Sequence, residues 1–252
     1  MKFYQFESLK KYDNLIHMVT NKSEDKPHQF SLALHTGESK EKILQNRKDL
    51  LSLLDNDKEV HFIVANQTHS DHIKIIENSK TQGWEALADA IEDCDALITN
   101  KRGVVLTILT ADCVPILLYD PKKKIVAVVH AGWKGTKLKI VAKTVKKMHE
   151  VFACEPKEII AAVAPAIGRC CYEVGEDVAQ HFFETSEGCL QRGEKYMLDL
   201  PLINKKQLLE MGLKERHIEM SGICTACEVE KYFSYRKEQG CTGRFMSMVG
   251  MV

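Results

Sequence analysis

The sequence between residues 104 and 131 contains three short apolar runs, which read "VVLTILT", "VPILLY" and "IVAVVHA". A strand with one solvated face alternates apolar and polar residues, and these runs do not alternate. They have the length of strands and are rich in β-branched residues, which favour strands. The chain must therefore cover these strands on both faces, which requires a layered structure.

Other segments supply the covering layers. Residues 39–54 begin with a serine in the capping position and place Ile43, Leu50 and Leu54 on one face, which predicts a helix. Apolar residues from Leu138 to Phe152 recur every three or four positions and predict a second helix. Further helices are expected in "GEDVAQHFFE" and "PLINKKQLLEMGL", and further strands in "EVHFIVANQTHS", "IKII" and "EIIAAVAP", while "KYFSYRKEQGCTGRFMSMV" is expected to form two strands around a turn.

The order of these elements sets the fold class. The strands cluster without a strict β–α–β alternation, and no low-complexity linker or repeat interrupts the chain. This order favours an α+β fold with mixed β-sheets flanked by helices. We expect residues 1–252 to form a single domain, because 252 residues suffice for one large core.

Charge and hydropathy argue against several kinds of partner. Lys and Arg together number 35, as do Asp and Glu, so nothing favours nucleic acid or an anionic membrane. Asp112, Pro115 and Asp120 interrupt the most apolar region, so no segment is expected to span a membrane. The N-terminal residues lack the apolar core of a secretory signal, and the cysteines number nine. We therefore expect reduced thiols in a cytoplasmic protein, of undetermined oligomeric state.

Two residues with metal-binding side chains end the central strands. Cys113 follows the first run and stands beside Asp112, a carboxylate that would be costly to bury without a partner. His130 ends the third run, just before a glycine-rich turn, although buried cysteines and histidines are more often inert core residues. With His69 they form the two-histidine, one-cysteine set of a catalytic zinc site, with a fourth position open. Only a fold that brings three distant strand ends together creates this site. His72, three residues after His69, is expected to face solvent or to support the ligands.

Four other cysteines suggest a competing metal site. Cys170 and Cys171 are adjacent, and Cys224 and Cys227 form a C-x-x-C pair, so the four could bind a structural zinc ion. Adjacent cysteines are not expected to chelate one ion without strain. We therefore expect these four residues to be free thiols or packing residues.

Arginine residues offer candidate contacts for an anionic ligand. Arg236 and Arg244 could hold an anion through their forked donors, although surface salt bridges are the commoner role. The segment "AGWKGT" lacks the spacing of a phosphate-binding P-loop, but the helix after it could present unpaired N–H groups to an anion. Arg47 is expected, from its helix alone, to be an exposed helical residue.

Taken together, the motifs resemble those of one family. In chain order they are "NQTHS", "DALIT", "TADCVPILLYDP", "VVHAGWKGT", "APAIGRCCYEVG" and "YFSYRKEQGCTGR". They resemble the laccase-domain YfiH/YlmD family from about residue 30 to the C-terminus. Departures from the usual motifs are Ser70 and Ala164 in place of glycine and Arg169 in place of proline, which bear on loop shape more than on ligands.

The resemblance implies a single α+β domain and a metal ion bound by His69, Cys113 and His130, here expected to be zinc, with copper as the alternative. It also implies phosphorolysis of adenosine, inosine and S-methyl-5'-thioadenosine by a purine nucleoside phosphorylase, together with adenosine deaminase activity. The implied partners are purine nucleosides and phosphate. Arg47, in an early "NR" pair, becomes an expected substrate contact.

Other activities stay open at this point. One alternative is a copper-dependent polyphenol oxidase, since His/Cys sites also bind copper, although the ten histidines include no H-x-H pair. Another is a hydrolase with Cys113 as nucleophile and His130 as base, which metal content would distinguish. A binding or assembly protein without catalytic activity fits poorly with a site rich in cysteine and histidine.

Overall fold

The computed structural model describes residues 3–54, 59–240 and 243–252. Its helices are α1 (Glu7–Lys10), α2 (Lys40–Ser52), α3 (Trp133–Lys137), α4 (Ile140–Phe152), α5 (Glu176–Ala179) and α6 (Leu200–Glu210). Its strands are β1 (Phe3–Tyr4), β2 (Leu15–Thr20), β3 (His61–Val64), β4 (Ile73–Ile76), β5 (Ala96–Thr99), β6 (Val104–Thr110), β7 (Val114–Asp120), β8 (Ile125–Ala131), β9 (Ile160–Val163), β10 (Glu173–Val174), β11 (Cys189–Arg192), β12 (Lys195–Leu198), β13 (Ile218–Met220) and β14 (Phe245–Met251).

The strands of the described residues form three sheets. A five-stranded sheet has the order β1-β2-β14-β6-β3, and a six-stranded sheet has the order β13-β9-β7-β8-β5-β4. A small third sheet has the order β10-β12-β11. Both large sheets are mixed, because β3 is parallel to β6, β4 to β5 and β13 to β9, whereas their other strand pairs are antiparallel. The predicted α+β fold with mixed sheets is confirmed.

The central strands are covered on both faces, as their uninterrupted apolar character predicts. Every residue of β6, β7 and β8 is buried. Leu117 and Val128 contribute to a core between the two large sheets, whereas Ile116 and Val129 contribute to a core shared with α4 and α6. A third core, which includes Leu50 of α2, lies on the other face of the five-stranded sheet. The helices therefore form outer layers around two stacked sheets.

Most predicted elements are confirmed, and two differ. "GEDVAQHFFE" forms the short helix α5 followed by one turn of 3₁₀ helix, Gln180–Phe182. The expected C-terminal pair of strands is wrong, because only β14 forms in the part of that segment that the structure describes. Residues 234–238 instead form a turn in which the Glu238 carboxylate accepts the Ser234 N–H. Cys241 and Thr242, within the expected turn, lie outside the described residues.

No helix in the described ranges is long and apolar enough to cross a membrane. That residues 1–252 fold as one unit stays a prediction.

Candidate metal centre and active-site pocket

Strand register brings four side chains of the candidate site to one edge of the six-stranded sheet. In the antiparallel pair β7–β8, Val114 lies opposite Ala131, so Cys113 stands beside the end of β8. In the antiparallel pair β5–β8, Ala96 lies opposite Val129, which places Asp95 beside His130. Strand β4 starts beside the start of β5, and the loop before it carries His69. The distant strand ends that the zinc hypothesis required are therefore gathered.

Two loops in which the chain passes from one large sheet to the other carry candidate ligands. The chain passes from β6 in the five-stranded sheet to β7 in the six-stranded sheet through residues 111–113. It makes a similar passage from β3 to β4 through residues 65–72. Cys113 and His69 lie on these two crossings, so the packing of the sheets fixes their separation.

The loop that carries His69 is wrapped around a buried carboxylate. Asp95 is fully buried and accepts hydrogen bonds from the N–H groups of Thr68, His69 and Ser70 and from the Ser70 hydroxyl. His69 has a φ of 62°, an uncommon left-handed conformation for a residue with a side chain. Successive N–H groups in such a turn form a concave anion site, which Asp95 fills. The carboxylate thus stabilises a strained backbone at the ligand.

The three candidate ligands fit a metal ion. One ligand atom from each of His69, Cys113 and His130 lies within 4.8 Å of the others, and Cys113 Sγ is 3.9 Å from His69 Nε2. Tetrahedral zinc with sulfur at about 2.3 Å and nitrogen at about 2.0–2.1 Å needs ligand atoms roughly 3.3–3.8 Å apart. His130 Nδ1 is 2.6 Å from Asp95 Oδ1, which directs its other ring nitrogen to the centre of the site. A carboxylate–histidine pair of this kind is typical of metal sites.

The charges of the trio are strongly coupled. Burial opposes ionisation of Cys113, but the charge and hydrogen bond of His130, with a further contribution from His69, lower the pKa of the thiol to about 6. Burial also opposes protonation of His130, yet Cys113 and Asp95 raise the pKa of its imidazole to about 9. Both shifts favour a thiolate beside an imidazolium when no metal ion is bound. A thiolate is the form of cysteine that binds metals.

This coupling predicts the reactivity of the metal-free protein. After chelation of metal, Cys113 should react rapidly with iodoacetamide at pH 7, and its rate should fall as the pH is lowered through about 6, because the thiolate is then protonated. Cys94 should stay unreactive, since burial raises its pKa to about 12. Peptide mapping of the alkylated protein measures both. Added zinc should protect Cys113, and equal reactivity with and without zinc would instead support the nucleophilic-cysteine hydrolase.

A pocket of about 600 Å³ opens onto the trio. Its lining combines the three candidate ligands with aromatic, amide and guanidinium side chains, among them His35, Asn66, Gln67, Trp133, Tyr172, Tyr235, Arg236 and Arg244. Burial lowers the pKa of Arg244, although the nearby charges of Cys113 and Asp112 act in the opposite direction. The pocket therefore joins a candidate metal centre to a cationic wall.

The structure does not bring Arg47 to this pocket. Its side chain is 1% exposed, and its guanidinium donates to the backbone carbonyls of Leu32, Gly83 and Trp84. The guanidinium also lies 5.1 Å from the centre of the Trp84 ring. Burial lowers the pKa of Arg47 to about 10. Arg47 is therefore a buried link between chain segments, where the sequence predicted first an exposed residue and then a substrate contact.

Two aspartates organise the site, and sequence reasoning assigned a role to neither. Asp95 directly precedes the apolar residues 96–98 of strand β5, which is buried throughout. A carboxylate at that position indicates that a buried partner must exist. Asp112, next to Cys113, accepts hydrogen bonds from the Thr225 hydroxyl and from the Arg236 N–H. These bonds tie the cysteine loop to the segment that carries the pocket arginine. His72 is exposed and pairs with Asp93, as expected for a residue outside the ligand set.

Comparisons with known proteins show which family and which fold the chain is similar to. The family model described as multi-copper polyphenol oxidoreductase laccase matches residues 17–252. The Bacillus subtilis protein named purine nucleoside phosphorylase YlmD is 33% identical over 228 residues, which cover 88% of this chain and 82% of that protein. A purine nucleoside phosphorylase of Bacteroides thetaiotaomicron is 31% identical over 253 residues, or 96% of this chain and 93% of that protein. The crystal structure of YlmD from Geobacillus stearothermophilus aligns with a TM-score of 0.91 at 29% identity, covering 99% of this chain and 98% of that one.

Proposed function

The chain belongs to the multi-copper polyphenol oxidoreductase laccase family, and on that premise we propose that it is a zinc-dependent purine nucleoside phosphorylase. Similar proteins that align with most of the chain carry the name purine nucleoside phosphorylase, which supports the assignment of an enzyme. The proposed substrates are inosine, adenosine and S-methyl-5'-thioadenosine, each with inorganic phosphate. The observation that carries the proposal is one pocket that contains the His69–Cys113–His130 trio and two arginines.

The pocket has the size and lining that a nucleoside requires. Its volume of about 600 Å³ lies within the usual range for small-molecule sites. Trp133, Tyr172 and Tyr235 offer ring faces for the purine, and Asn66 and Gln67 offer amide groups for hydrogen bonds. Gln67 already bonds the Leu109 backbone through both ends of its amide, so its orientation is fixed before substrate binds.

We assign phosphate to Arg236 and Arg244. Guanidinium groups pair with phosphate oxygens through two parallel hydrogen bonds, and both side chains line the pocket. The Arg236 guanidinium is positioned by a hydrogen bond to the Glu173 carbonyl and by the Tyr172 ring, 5.3 Å away. Helix α3, which follows Gly132, contributes Trp133 to the pocket. Because it spans only Trp133–Lys137, we do not assign phosphate to its N-terminus.

The trio would hold the zinc ion, which supplies Lewis acidity when bound. Asp95 keeps His130 in the orientation that directs one ring nitrogen to the metal position. Gly132 leaves room beside the trio, because a Cβ at that position would lie 3.0 Å from Cys113 Sγ. Burial of His130 and Asp95 excludes water from the far side of the site.

The ligand count also supports adenosine deaminase activity at the same site. Three protein ligands leave a fourth position open, which is the arrangement of catalytic rather than structural zinc sites. Polyphenol oxidation by several copper ions is less favoured, because the histidines include no H-x-H pair. Among the described residues, histidine contributes to one candidate metal group alone.

The proposal is tested by incubating the purified protein with inosine and phosphate. We expect hypoxanthine and ribose 1-phosphate to form only when phosphate is present. Arg236→Ala should lower kcat/KM for phosphate roughly 10- to 100-fold, because a hydrogen bond to a charged group contributes about 1.5–3 kcal/mol. Arg192→Ala, at an exposed arginine outside the pocket, is the matched control. Absence of phosphate-dependent product from all three nucleosides, in zinc-loaded protein, would contradict the proposal.

A further inference from the structure

We propose that Cys170, Cys171, Cys224 and Cys227 bind a structural zinc ion, separate from the metal centre described above. One sulfur from each residue lies within 4.8 Å of the other three. This cysteine cluster shares no residue with the His69–Cys113–His130 trio. The inference does not depend on the proposed function.

The spacing of the sulfur atoms fits a tetrathiolate site. Zinc–sulfur bonds of about 2.3 Å in a tetrahedron place neighbouring sulfurs about 3.8 Å apart. Cys227 Sγ lies 3.5 Å from Cys170 Sγ and also 3.5 Å from Cys171 Sγ. Four cysteines form a closed coordination shell, which is typical of structural zinc and not of catalytic zinc.

The backbone around the cluster holds its two halves together. Ala166 and Cys224 form a parallel bridge, in which the Ala166 N–H donates to the Ile223 carbonyl and the Thr225 N–H to the Ala166 carbonyl. The Gly168 N–H donates to Cys224 Sγ at 3.2 Å. A donor aimed at sulfur stabilises the thiolate form that a metal requires and helps to orient the ligand.

The geometry also removes the objection to adjacent cysteines as ligands. Residues 169–171 form a turn in which the Cys171 N–H donates to the Gly168 carbonyl. This turn directs the Cys170 and Cys171 thiols toward the same partner, Cys227. The four residues are free thiols, as the sequence predicts, and they lie together in one cluster.

A metal ion in the cysteine cluster would stabilise the segments that form one side of the active-site pocket. The segment after Cys171 carries Tyr172, and the segment after Cys224 carries Thr225, which bonds Asp112 next to Cys113. Arg236 donates to the Glu173 carbonyl through its guanidinium and to the Asp112 carboxylate through its backbone N–H. The ion would thus hold together the segments that place the pocket arginine and the cysteine ligand.

A disulfide is the competing use of these thiols. A disulfide joins two sulfurs at about 2.05 Å, which requires a pair of cysteines to approach much more closely than the observed 3.5 Å. Cys227 is equally far from Cys170 and Cys171, so the arrangement selects no single pair. A shared central ion uses all four sulfurs at once.

Metal content of the full chain tests the inference. Protein produced with zinc and purified with a phosphine reductant should contain about two zinc ions per chain. Cys227→Ser and Cys113→Ala should each lower the content to about one, and the double variant should lower it to about zero. Cys189→Ala, at a buried cysteine outside both metal groups, should retain about two. Cobalt bound to Cys113→Ala should show the intense visible bands of a tetrahedral thiolate complex.

The outcomes separate this inference from the proposed function. Unchanged metal content in Cys227→Ser would overturn it, as would a disulfide within the cluster found by mass spectrometry of protein isolated without added oxidant. If Cys227→Ser does not fold, maleimide labelling of the wild type decides: the four thiols should be protected until a chelator is added, and immediate labelling would contradict the inference. Loss of phosphorolysis in Cys113→Ala tests the trio independently.

Discussion

Replacing Cys113 with alanine is expected to remove zinc from the trio and to lower phosphorolysis of inosine roughly 10²- to 10⁴-fold. The thiolate is the anionic member of the ligand set, so two neutral imidazoles remain to hold a divalent ion. Lewis acidity contributes several kcal/mol to transition-state stabilisation, and each 1.36 kcal/mol corresponds to a factor of ten in rate. Steady-state kinetics and metal analysis of the variant measure the two effects.

The fold should survive this change. Cys113 lies on a connection between sheets and lines the pocket, and it is not among the residues of the three cores. Circular dichroism should therefore match the wild type, and Cys189→Ala should retain both zinc and activity as the control. If Cys113→Ala kept its full zinc content and full turnover, the trio would not be the catalytic metal site.

The sequence predicts those parts of the fold that local pattern determines. The runs that form β6, β7 and β8 lack polar alternation because their alternate residues enter two different cores, and this is visible in the sequence. The C-terminal segment shows the limit of such patterns. Tyr232 and Phe233 have strand propensity, but they are buried between elements without joining a sheet, and a tertiary environment of this kind has no local signature.

The site is predicted less completely than the fold. Its candidate ligands are separated by long stretches of sequence, so the spacing alone cannot assign the trio. Residue type suggests it, and the family resemblance supports it. Arg47 shows why a helical pattern misleads: its position in α2 looks exposed, yet three backbone carbonyls from other segments accept its hydrogen bonds. Asp95 shows the converse, because its importance comes from donors on two separate chain segments, residues 68–70 and His130.

The cysteine cluster depends on both residue type and backbone geometry. The sequence correctly identifies which four cysteines could meet, since the C-x-x-C pair and the adjacent pair both stand out. The turn at residues 169–171 and the bridge between Ala166 and Cys224 decide whether they meet, and both depend on packing against the six-stranded sheet. Residue type therefore indicates which residues could bind a metal ion, and backbone geometry determines whether they lie close enough to do so.

Replacing Asp95 with asparagine is expected to weaken zinc binding at the trio about 10- to 100-fold, although Asp95 does not contact the metal position. Loss of the partner that orients a metal-binding histidine has an effect of this size. Asparagine has one acceptor oxygen, and its amide N–H group would face the backbone donors of the His69 loop. A buried donor without a partner costs about 1–3 kcal/mol, so the free energy of unfolding should also fall.

The pH dependence of the free energy of unfolding distinguishes the charge of the Asp95 carboxylate from simple packing of its side chain. Burial would raise the pKa of Asp95, but the hydrogen bond and charge of His130 outweigh it and, with Ser70, lower the pKa from 3.8 to about 2. A carboxyl whose pKa is lower in the folded state stabilises the fold above the unfolded value, and this contribution is lost as the pH falls from about 4 towards 2. The difference in stability between wild type and Asp95→Asn should therefore narrow over that range, as measured by urea unfolding at each pH.

Asp93→Asn is the matched control for this prediction, because Asp93 lies two residues away and bonds Thr68 and His72 at the exposed surface. It should leave zinc affinity, measured by competition with a chelator, close to the wild-type value. The two aspartates differ in burial. The carboxylate of Asp95 accepts its hydrogen bonds without competition from water, whereas water can replace the hydrogen bonds of Asp93 at little cost in free energy. Equal losses of zinc affinity in both variants would show that Asp95 acts through general loop stability and not by orienting His130.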